Sequence, residues 1–180
     1  MLWLRLLRML ENMKQVACYM GVYTRSGDRG LTSLYSGSRV AKSNPLIEAI
    51  GAVDELSAYI GLVACQLKTN DKNKTMLINV QKDLYQIMAV LAGEKMSIVG
   101  LNKKVKLFEQ KIDKIMSSLP KINSFILAGG TMLSSWFHIL RTVCRRAERK
   151  VAGFKQPAVI KYLNRLSDLL FAFSRWYGRN

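Results

Sequence analysis

The chain has 180 residues, of which 49% are hydrophobic and three are proline. This length and composition fit one packed domain and exclude a disordered protein. Lysine and arginine number 28 against 12 aspartates and glutamates, a formal net charge of +16, so the chain requires an anionic partner such as a nucleotide, a nucleic acid or a membrane surface. Cys18, Cys65 and Cys144 are scattered without paired spacing, which indicates reduced, small apolar residues of a cytoplasmic protein.

The N-terminus is expected to be an extension, residues 1–19, of a single domain that covers residues 20–180. Its first half is apolar, but Arg5 and Arg8 break it into runs too short for a transmembrane helix, and no small-residue cleavage pattern follows. Glu11 disfavours a transit peptide, which would be poor in acidic residues. We therefore predict that the extension is disordered or forms a peripheral helix, and we expect no membrane span.

Helical periodicity is absent from residues 21–42, which are rich in glycine, hydroxyl groups and arginine. Backbone N–H groups freed by glycine, hydroxyl donors and guanidinium groups together favour a phosphate-binding loop. Within it, Asp28 would help to hold a divalent metal ion or orient its neighbours. Arg39 and Lys42 add two further charges at the end of the segment. An ordinary surface turn is the alternative, because the run Ser-Gly-Asp-Arg-Gly is unspecific on its own.

Apolar residues at three- and four-residue spacing predict five helices in the rest of the chain. The first is expected to be capped by Ser43 and to run through Pro45 to residue 67. The other four are predicted over residues 76–93, 101–119, 131–154 and 158–177. Because no repeat and no strand-like alternation appears, the sequence predicts an all-α, up-and-down or ferritin-like five-helix bundle with an ordered N-terminal loop.

The helix over residues 131–154 carries two patterns and follows a double-glycine break, with Thr131 available as its N-cap. One flank carries a row of polar side chains three or four residues apart, namely His138, Arg141, Arg145 and Glu148. The neighbouring flank is an apolar stripe, formed by Met132, Trp136 or Phe137, Leu140, Val143 or Cys144, Ala147 and Val151. An apolar face beside a row of guanidinium groups predicts one wall of an anion-binding site. The alternative is a solvated basic face.

Two more polar groups belong to this argument. Asp54 directly follows the core residue Val53, so it is expected at the edge of the packed face, where an uncompensated carboxylate is costly. Its negative charge requires a nearby cation, and Arg141 is the expected one. The alternative is that Asp54 and Glu55 form an exposed acidic pair. Asn164 lies with Arg165 and Asp168 on the polar side of the last helix.

Taken together, these motifs resemble the PduO-type ATP:cob(I)alamin adenosyltransferase family. The resemblance extends from residue 22 to the C-terminus and consists of ordered motifs at residues 23–30, 39–42, 53–56, 124–130, 141–148 and 164–168. Each motif is unspecific alone, but their common order and spacing is specific. The family implies a five-helix bundle that assembles as a homotrimer with active sites between subunits. It also implies that the 5′-adenosyl group of ATP moves to the cobalt of cob(I)alamin, releasing triphosphate.

The resemblance also implies roles for individual residues. ATP, with Mg²⁺, is expected to bind Tyr23, Thr24, Arg25, Ser26, Gly27, Asp28, Arg29, Lys42, Arg141, Arg145, Glu148 and Asn164. The expected catalytic set is Arg141, Asp54 and Phe125. Asp54 should pair with Arg141 across the subunit interface, and Glu148 should position Arg145 or a group of ATP. No protein group is assigned as a metal ligand, and no general base is needed because cob(I)alamin is itself the nucleophile.

Phe125 resembles the aromatic residue that fills the lower face of the corrin and displaces its nitrogenous base; an ordinary core residue is the alternative. The family usually has proline where this chain has Ala128, so the turn that carries Phe125 is expected to be looser. His138 matches a family position and is interpreted as a helix-packing residue. The family further implies a reductase or an adenosylcobalamin-dependent enzyme as a partner.

Two rival functions remain at this stage. A basic helical module that binds nucleic acid would explain the charge, but no nucleic-acid signature is present and aromatic residues are not interleaved with the basic ones. A catalytically silent relative would keep the ATP and cobalamin residues for binding alone. The nucleic-acid-binding module would bind nucleic acid. The catalytically silent relative would bind ATP and cobalamin without turnover.

Overall fold

A computed structural model describes residues 23, 25–98 and 100–179. The extension predicted for residues 1–19 and the candidate phosphate ligand Thr24 lie outside the described residues, so both stay predictions. Two short strands, β1 and β2, precede five helices, α1 to α5. Their bounds are Leu31–Ser33 and Arg39–Ala41 for the strands, and Pro45–Gln66, Lys72–Leu91, Gly100–Ser117, Met132–Val151 and Pro157–Tyr177 for the helices. The predicted five-helix architecture is confirmed.

The first two helices begin where a side chain caps them, and both starts correct the prediction. The cap of α1 is Asn44 and not Ser43: the Asn44 Oδ1 atom accepts a hydrogen bond from the N–H of Leu46 at 2.9 Å. Proline occupies the first helical position, so the residue directly before it must be the cap. Helix α2 begins at Lys72, earlier than predicted, because the Asp71 carboxylate accepts from the N–H of Asn73 at 2.8 Å.

The remaining boundaries are closer to the prediction. Thr131 caps α4 as expected, its hydroxyl oxygen accepting from the N–H of Ser134 at 3.1 Å. Helices α2, α3 and α4 each end two or three residues before the predicted position, at Leu91, Ser117 and Val151. The apolar residues that follow these ends extended the helical pattern in the sequence without continuing the helix.

The two strands form an antiparallel hairpin that the sequence prediction missed. Leu31 lies opposite Ala41, and each strand has only three residues, too few to show an alternating pattern. The pairing continues past the strands, where the N–H of Lys42 donates to the carbonyl of Gly30 at 2.8 Å. The N–H of Tyr35 donates to the carbonyl of Ala92 at 3.1 Å, which attaches the hairpin to the end of α2. The N-terminal loop is therefore held in one position against the bundle.

The bundle is built on α4 and α5, which pack against each other, with α1 against α4, α2 against α1 and α3 against α5. Near the end of α5 the Phe137 ring stacks on Tyr177, with ring centroids 5.1 Å apart, and its centroid lies 5.3 Å from that of Phe173. The predicted apolar stripe of α4 is buried except for its first residue, Met132, which is exposed because it precedes the packed turns. Trp136 is only partly buried, so Phe137 is the stripe residue at that turn.

A buried polar network joins three helices. The Asp83 carboxylate of α2 accepts from the Tyr162 hydroxyl of α5 at 2.9 Å and from the Lys104 ammonium of α3 at 2.9 Å. Burial, followed by the neighbouring Asp83 charge, raises the pKa of Tyr162, so its hydroxyl stays a donor. Cys144 is a buried free cysteine and Cys65 an exposed one, whereas Cys18 lies outside the described residues. Among the described residues, no helix is long and apolar enough to cross a bilayer.

Candidate active site

A cleft of about 520 Å³ opens along the polar flank of α4. Three elements form its walls: α4, the segment that precedes α4, and the middle of α5. They contribute His138, Arg141 and Arg145, then Ile122, Ser124, Phe125 and Ile126, and finally Ser167, Asp168 and Phe171. Three members of the row that the helical spacing placed on one flank, His138, Arg141 and Arg145, therefore face a cavity, whereas Glu148 does not line it. A ligand that filled it would lie beside both guanidinium groups and an apolar wall.

The charges of this cleft are only partly neutralised. The Arg145 Nη1 atom lies 2.7 Å from the Glu148 Oε2 atom, and the glutamate is largely buried. The contact is an ion pair without hydrogen-bond geometry, since this Oε2 atom accepts no hydrogen bond, so it holds the guanidinium nearby by charge. Asp168 also faces the cleft, but its carboxylate binds Arg165, which in turn binds Glu109 at 3.0 Å. The residues that line the cleft include two arginines, Arg141 and Arg145, but only one carboxylate, Asp168, so the lining carries a net positive charge that suits an anionic ligand.

Arg141 has no carboxylate partner among the described residues. It is partly buried, and its Nε atom is buried without a hydrogen-bond acceptor. Asp54 is likewise partly buried on α1 with no ion pair inside the described chain, and this burial raises the pKa of its carboxyl group. Its neighbour Glu55 binds Arg146 at 2.6 Å, so the two acids are not an exposed pair. Asp54 and Arg141 therefore carry opposite charges, and each lacks an ion-pair partner among the described residues.

His138 is 6% exposed and packs edge-on against Phe171, with ring centroids 6.3 Å apart. Its Nδ1 atom is buried without a hydrogen-bond partner in the described part of the chain. Burial lowers the pKa of the imidazole, and the positive charge of Arg141 lowers it further, so the ring is neutral at physiological pH. The sequence interpretation as a packing residue captured its burial but missed that it also forms a wall of the cleft.

Phe125 is 91% exposed although it lies at the cleft, which excludes the alternative of an ordinary core residue. Leu127, two residues on, is also exposed. Exposed large apolar side chains beside a cavity are typical of a binding surface. Gly130 supplies a positive φ of 91° where the segment turns into α4, a conformation that other residues adopt at a cost. The looser turn expected from Ala128 stays a prediction.

The N-terminal hairpin gathers the predicted phosphate-binding groups. Arg39 donates from its Nη2 atom to the carbonyl of Ser26 at 2.6 Å, which holds the loop closed. A Cβ added at Gly27 would lie 3.3 Å from the Lys42 Nζ atom, so the glycine lets the ammonium approach the backbone. Asp28 and Arg29 are exposed at the tip of this loop. The cradle is therefore open to a ligand from outside the chain.

The described part of the loop does not reach the cleft of its own chain. None of the loop residues Tyr23, Arg25, Ser26, Gly27, Asp28, Arg29 and Lys42 lines the cleft beside α4. Asn164 is exposed on α5 and does not line it either. The described residues contain no cluster of three or more histidine, cysteine, aspartate or glutamate side chains that would hold a metal ion. A Mg²⁺ ion would fit only as one held mainly by phosphate oxygens, with Asp28 as a single carboxylate at the loop.

Residues 22–177 match the cobalamin adenosyltransferase family. The chain belongs to that family. Within it, the chain is 37% identical over 166 residues to the corrinoid adenosyltransferase PduO of Citrobacter freundii, with 87% of this chain and 49% of that protein covered. It therefore spans about half the length of this relative. It is 38% identical to the cobalamin adenosyltransferase of Cupriavidus metallidurans, with 88% of each chain covered, and 39% identical to human MMAB, covering 86% of this chain and 68% of that protein.

Solved family structures have the same fold. A phenylalanine-to-histidine variant of the PduO-type ATP:corrinoid adenosyltransferase from Lactobacillus reuteri, complexed with cobalamin and ATP, superimposes with a TM-score of 0.81 at 30% identity, covering 88% of this chain and 91% of that one. An arginine-to-lysine variant of the same enzyme, complexed with ATP, also gives a TM-score of 0.81 at 30% identity, with 87% and 94% covered. Family membership and fold thus agree.

Proposed function

We propose that this family member transfers the 5′-deoxyadenosyl group of ATP to the cobalt of cob(I)alamin, giving adenosylcobalamin and triphosphate. The observation that carries the proposal is the cleft itself, where an exposed aromatic ring, Phe125, lies on the same cavity as two guanidinium groups. An apolar surface suits the flat face of a corrin, and the guanidinium groups suit phosphates. The relatives named for this activity and solved with both ligands support the assignment.

Arg141 and Arg145 would stabilise the negative charge that develops on the leaving triphosphate. Only interactions that strengthen as that charge develops lower the barrier, and fixed donors achieve this best. The Glu148 carboxylate, 2.7 Å from Arg145, would hold one of these donors near the cleft by charge before the substrate binds. Asp54 would fix the other by pairing with Arg141. The protein supplies position and charge, while cob(I)alamin supplies the reactive electron pair.

The remaining ATP ligands would be the hairpin residues and Asn164. Arg25, Arg29 and Lys42 would surround the phosphates, with Ser26 and Gly27 offering hydroxyl and backbone donors. Mg²⁺ would arrive with ATP, bound to phosphate oxygens near Asp28. Tyr23, which lies 5.4 Å beneath the Arg25 guanidinium, would hold that arginine in place.

A homotrimer with sites shared between copies would bring together the two parts of the site, the N-terminal loop and the cleft beside α4. The described loop residues do not line the cleft of their own chain, and neither Asp54 nor Arg141 has an ion-pair partner among the described residues. If the loop of one copy lay on the cleft of its neighbour, the phosphate-binding groups would join the cleft, and Asp54 of one copy could pair with Arg141 of the other. Mixing an Asp54→Ala chain with an Arg141→Ala chain should then restore activity, because one site of a mixed trimer carries both native residues. Activity no higher than that of the separate variants would contradict a shared site.

Adenosylcobalamin formation tests the proposed function directly. Protein, ATP, Mg²⁺ and chemically reduced cobalamin are mixed, and the appearance of the adenosylcobalamin spectrum is followed, with Arg145→Ala as the matched control. Binding of both substrates without product would support a silent relative, and binding of nucleic acid alone would support the basic module. A cytoplasmic location and a reductase or adenosylcobalamin-dependent partner belong to the same proposal.

A further inference from the structure

A second cavity, of about 300 Å³, adjoins the cleft beside α4. Ile126 and His138 line both spaces, so these two side chains form the boundary between them. Beyond the boundary, the walls come from the segment before α4 and from the end of α5, which contribute the apolar Leu127 and the guanidinium of Arg175. No residue assigned above to ATP or to the corrin ring lines this second cavity.

Two guanidinium groups at this cavity, those of Arg175 and Arg179, are held by contacts other than ion pairs with described residues. Arg175 donates from Nη2 to the carbonyl of Pro120 at 2.7 Å, and the Arg179 guanidinium lies 3.2 Å from the centre of the Trp176 ring. Neither arginine pairs with a carboxylate in the part of the chain that the structure describes. Arg175 keeps unused N–H donors, because a guanidinium has five. Fixed, unpaired guanidinium groups beside a cavity are typical of phosphate recognition.

The wall that carries these arginines is itself fixed to α4. The Thr131 hydroxyl donates to the carbonyl of Tyr177 at 2.8 Å, which ties the end of α5 to the start of α4. A Cβ added at Gly178 would lie 2.9 Å from the Ser134 Oγ atom, so only glycine lets the two helices close this far. A ligand would therefore meet a formed cavity and not a mobile chain end.

We propose that the second cavity binds the nucleotide arm of the corrinoid substrate, the chain that joins the corrin to its benzimidazole base through a ribose phosphate. This inference rests on the proposed function. If Phe125 occupies the lower face of the corrin, the base leaves cobalt and its arm must lie elsewhere. The cavity begins at Ile126, directly after Phe125, so the arm would leave the first cleft beside it. Leu127 would contact the base, and Arg175 and Arg179 would bind the phosphate.

A corrinoid without the arm, cobinamide, provides the test. Binding of cob(II)alamin and of cob(II)inamide is measured by spectral titration in the presence of ATP. Arg175→Ala and Arg179→Ala should each weaken cob(II)alamin binding about tenfold, equivalent to ~1.4 kcal/mol, and leave cob(II)inamide binding unchanged. Lys161→Ala removes the same charge from an exposed site on the same helix and should change neither.

Equal losses for both corrinoids would overturn the proposal, because Arg175 would then act only by supporting the cleft through Pro120. No loss for either corrinoid would overturn it too, since the arm would lie in solvent. Arg179 is exposed and, unlike Arg175, makes no hydrogen bond to Pro120 among the described contacts, so its variant still decides the question if Arg175→Ala folds poorly. Turnover is measured separately: adenosylation with no preference for the arm would support the proposed function while overturning this site.

Discussion

Replacing Phe125 with alanine separates a binding residue from a structural one. A packed phenylalanine buries about 150–250 Å², but Phe125 is 91% exposed and so covers only about 20 Å² of the protein. At about 25 cal/mol per Å² the substitution should cost ~0.5 kcal/mol of unfolding free energy. Phe137→Ala is the matched control: its ring is fully buried against Phe173 and Tyr177, and its loss should cost about 3–5 kcal/mol.

Denaturant unfolding at matched protein concentration measures both values. The same Phe125→Ala protein should bind ATP as the wild type does, lose the spectrum of four-coordinate cob(II)alamin, and make adenosylcobalamin much more slowly with a weak reductant. A loss of 3 kcal/mol or more in stability would refute the exposed placement of the ring. Wild-type activity together with wild-type stability would refute its role in corrin binding.

Three further predictions concern the charged groups. Asp28→Asn should weaken ATP binding, measured by calorimetry, while changing stability by less than about 0.5 kcal/mol, because the residue is exposed on a loop; unchanged ATP affinity would leave the loop an ordinary turn. Arg141→Lys should not restore what Arg141→Ala loses, about 2–5 kcal/mol in transition-state or assembly free energy, and full kcat/KM in the lysine variant would show that only net charge matters. His138 is the one histidine of the chain, which makes its imidazole NMR signal unambiguous, and that signal should titrate with a midpoint below pH 6.5 because burial lowers its pKa. The unfolded chain then binds the proton more readily than the folded protein, so stability should fall as the pH drops below 6.5. A midpoint at or above pH 6.5 would contradict the burial argument.

The sequence was most informative where periodicity and chain order carry the information. The spacing of His138, Arg141 and Arg145 predicted a shared flank of one helix, and in the structure they line one cleft. Helical spacing is local, so it needs no knowledge of the partners. The start of α2 was missed because its first turn is polar, and the cap Asp71 was assigned to a connecting loop.

Exposure and pairing, in contrast, depend on groups far apart in the chain. Nothing in the segment around Phe125 distinguishes a buried ring from one that is 91% exposed. The three-residue strands around residue 31 and residue 39 form only because each pairs with the other. The second cavity is likewise invisible to pattern analysis, since Pro120 and Arg175 come together only through folding.

The most direct test of the central claim follows the atoms of ATP. ATP labelled at the 5′-carbon of its ribose is supplied with Mg²⁺ and cob(I)alamin, and the corrinoid and the phosphates are separated after the reaction. The account predicts that the label appears on the corrinoid in a cobalt–carbon bond and that triphosphate is the leaving group. Label that stays on adenosine or adenine nucleotides, with no labelled corrinoid formed, would contradict it.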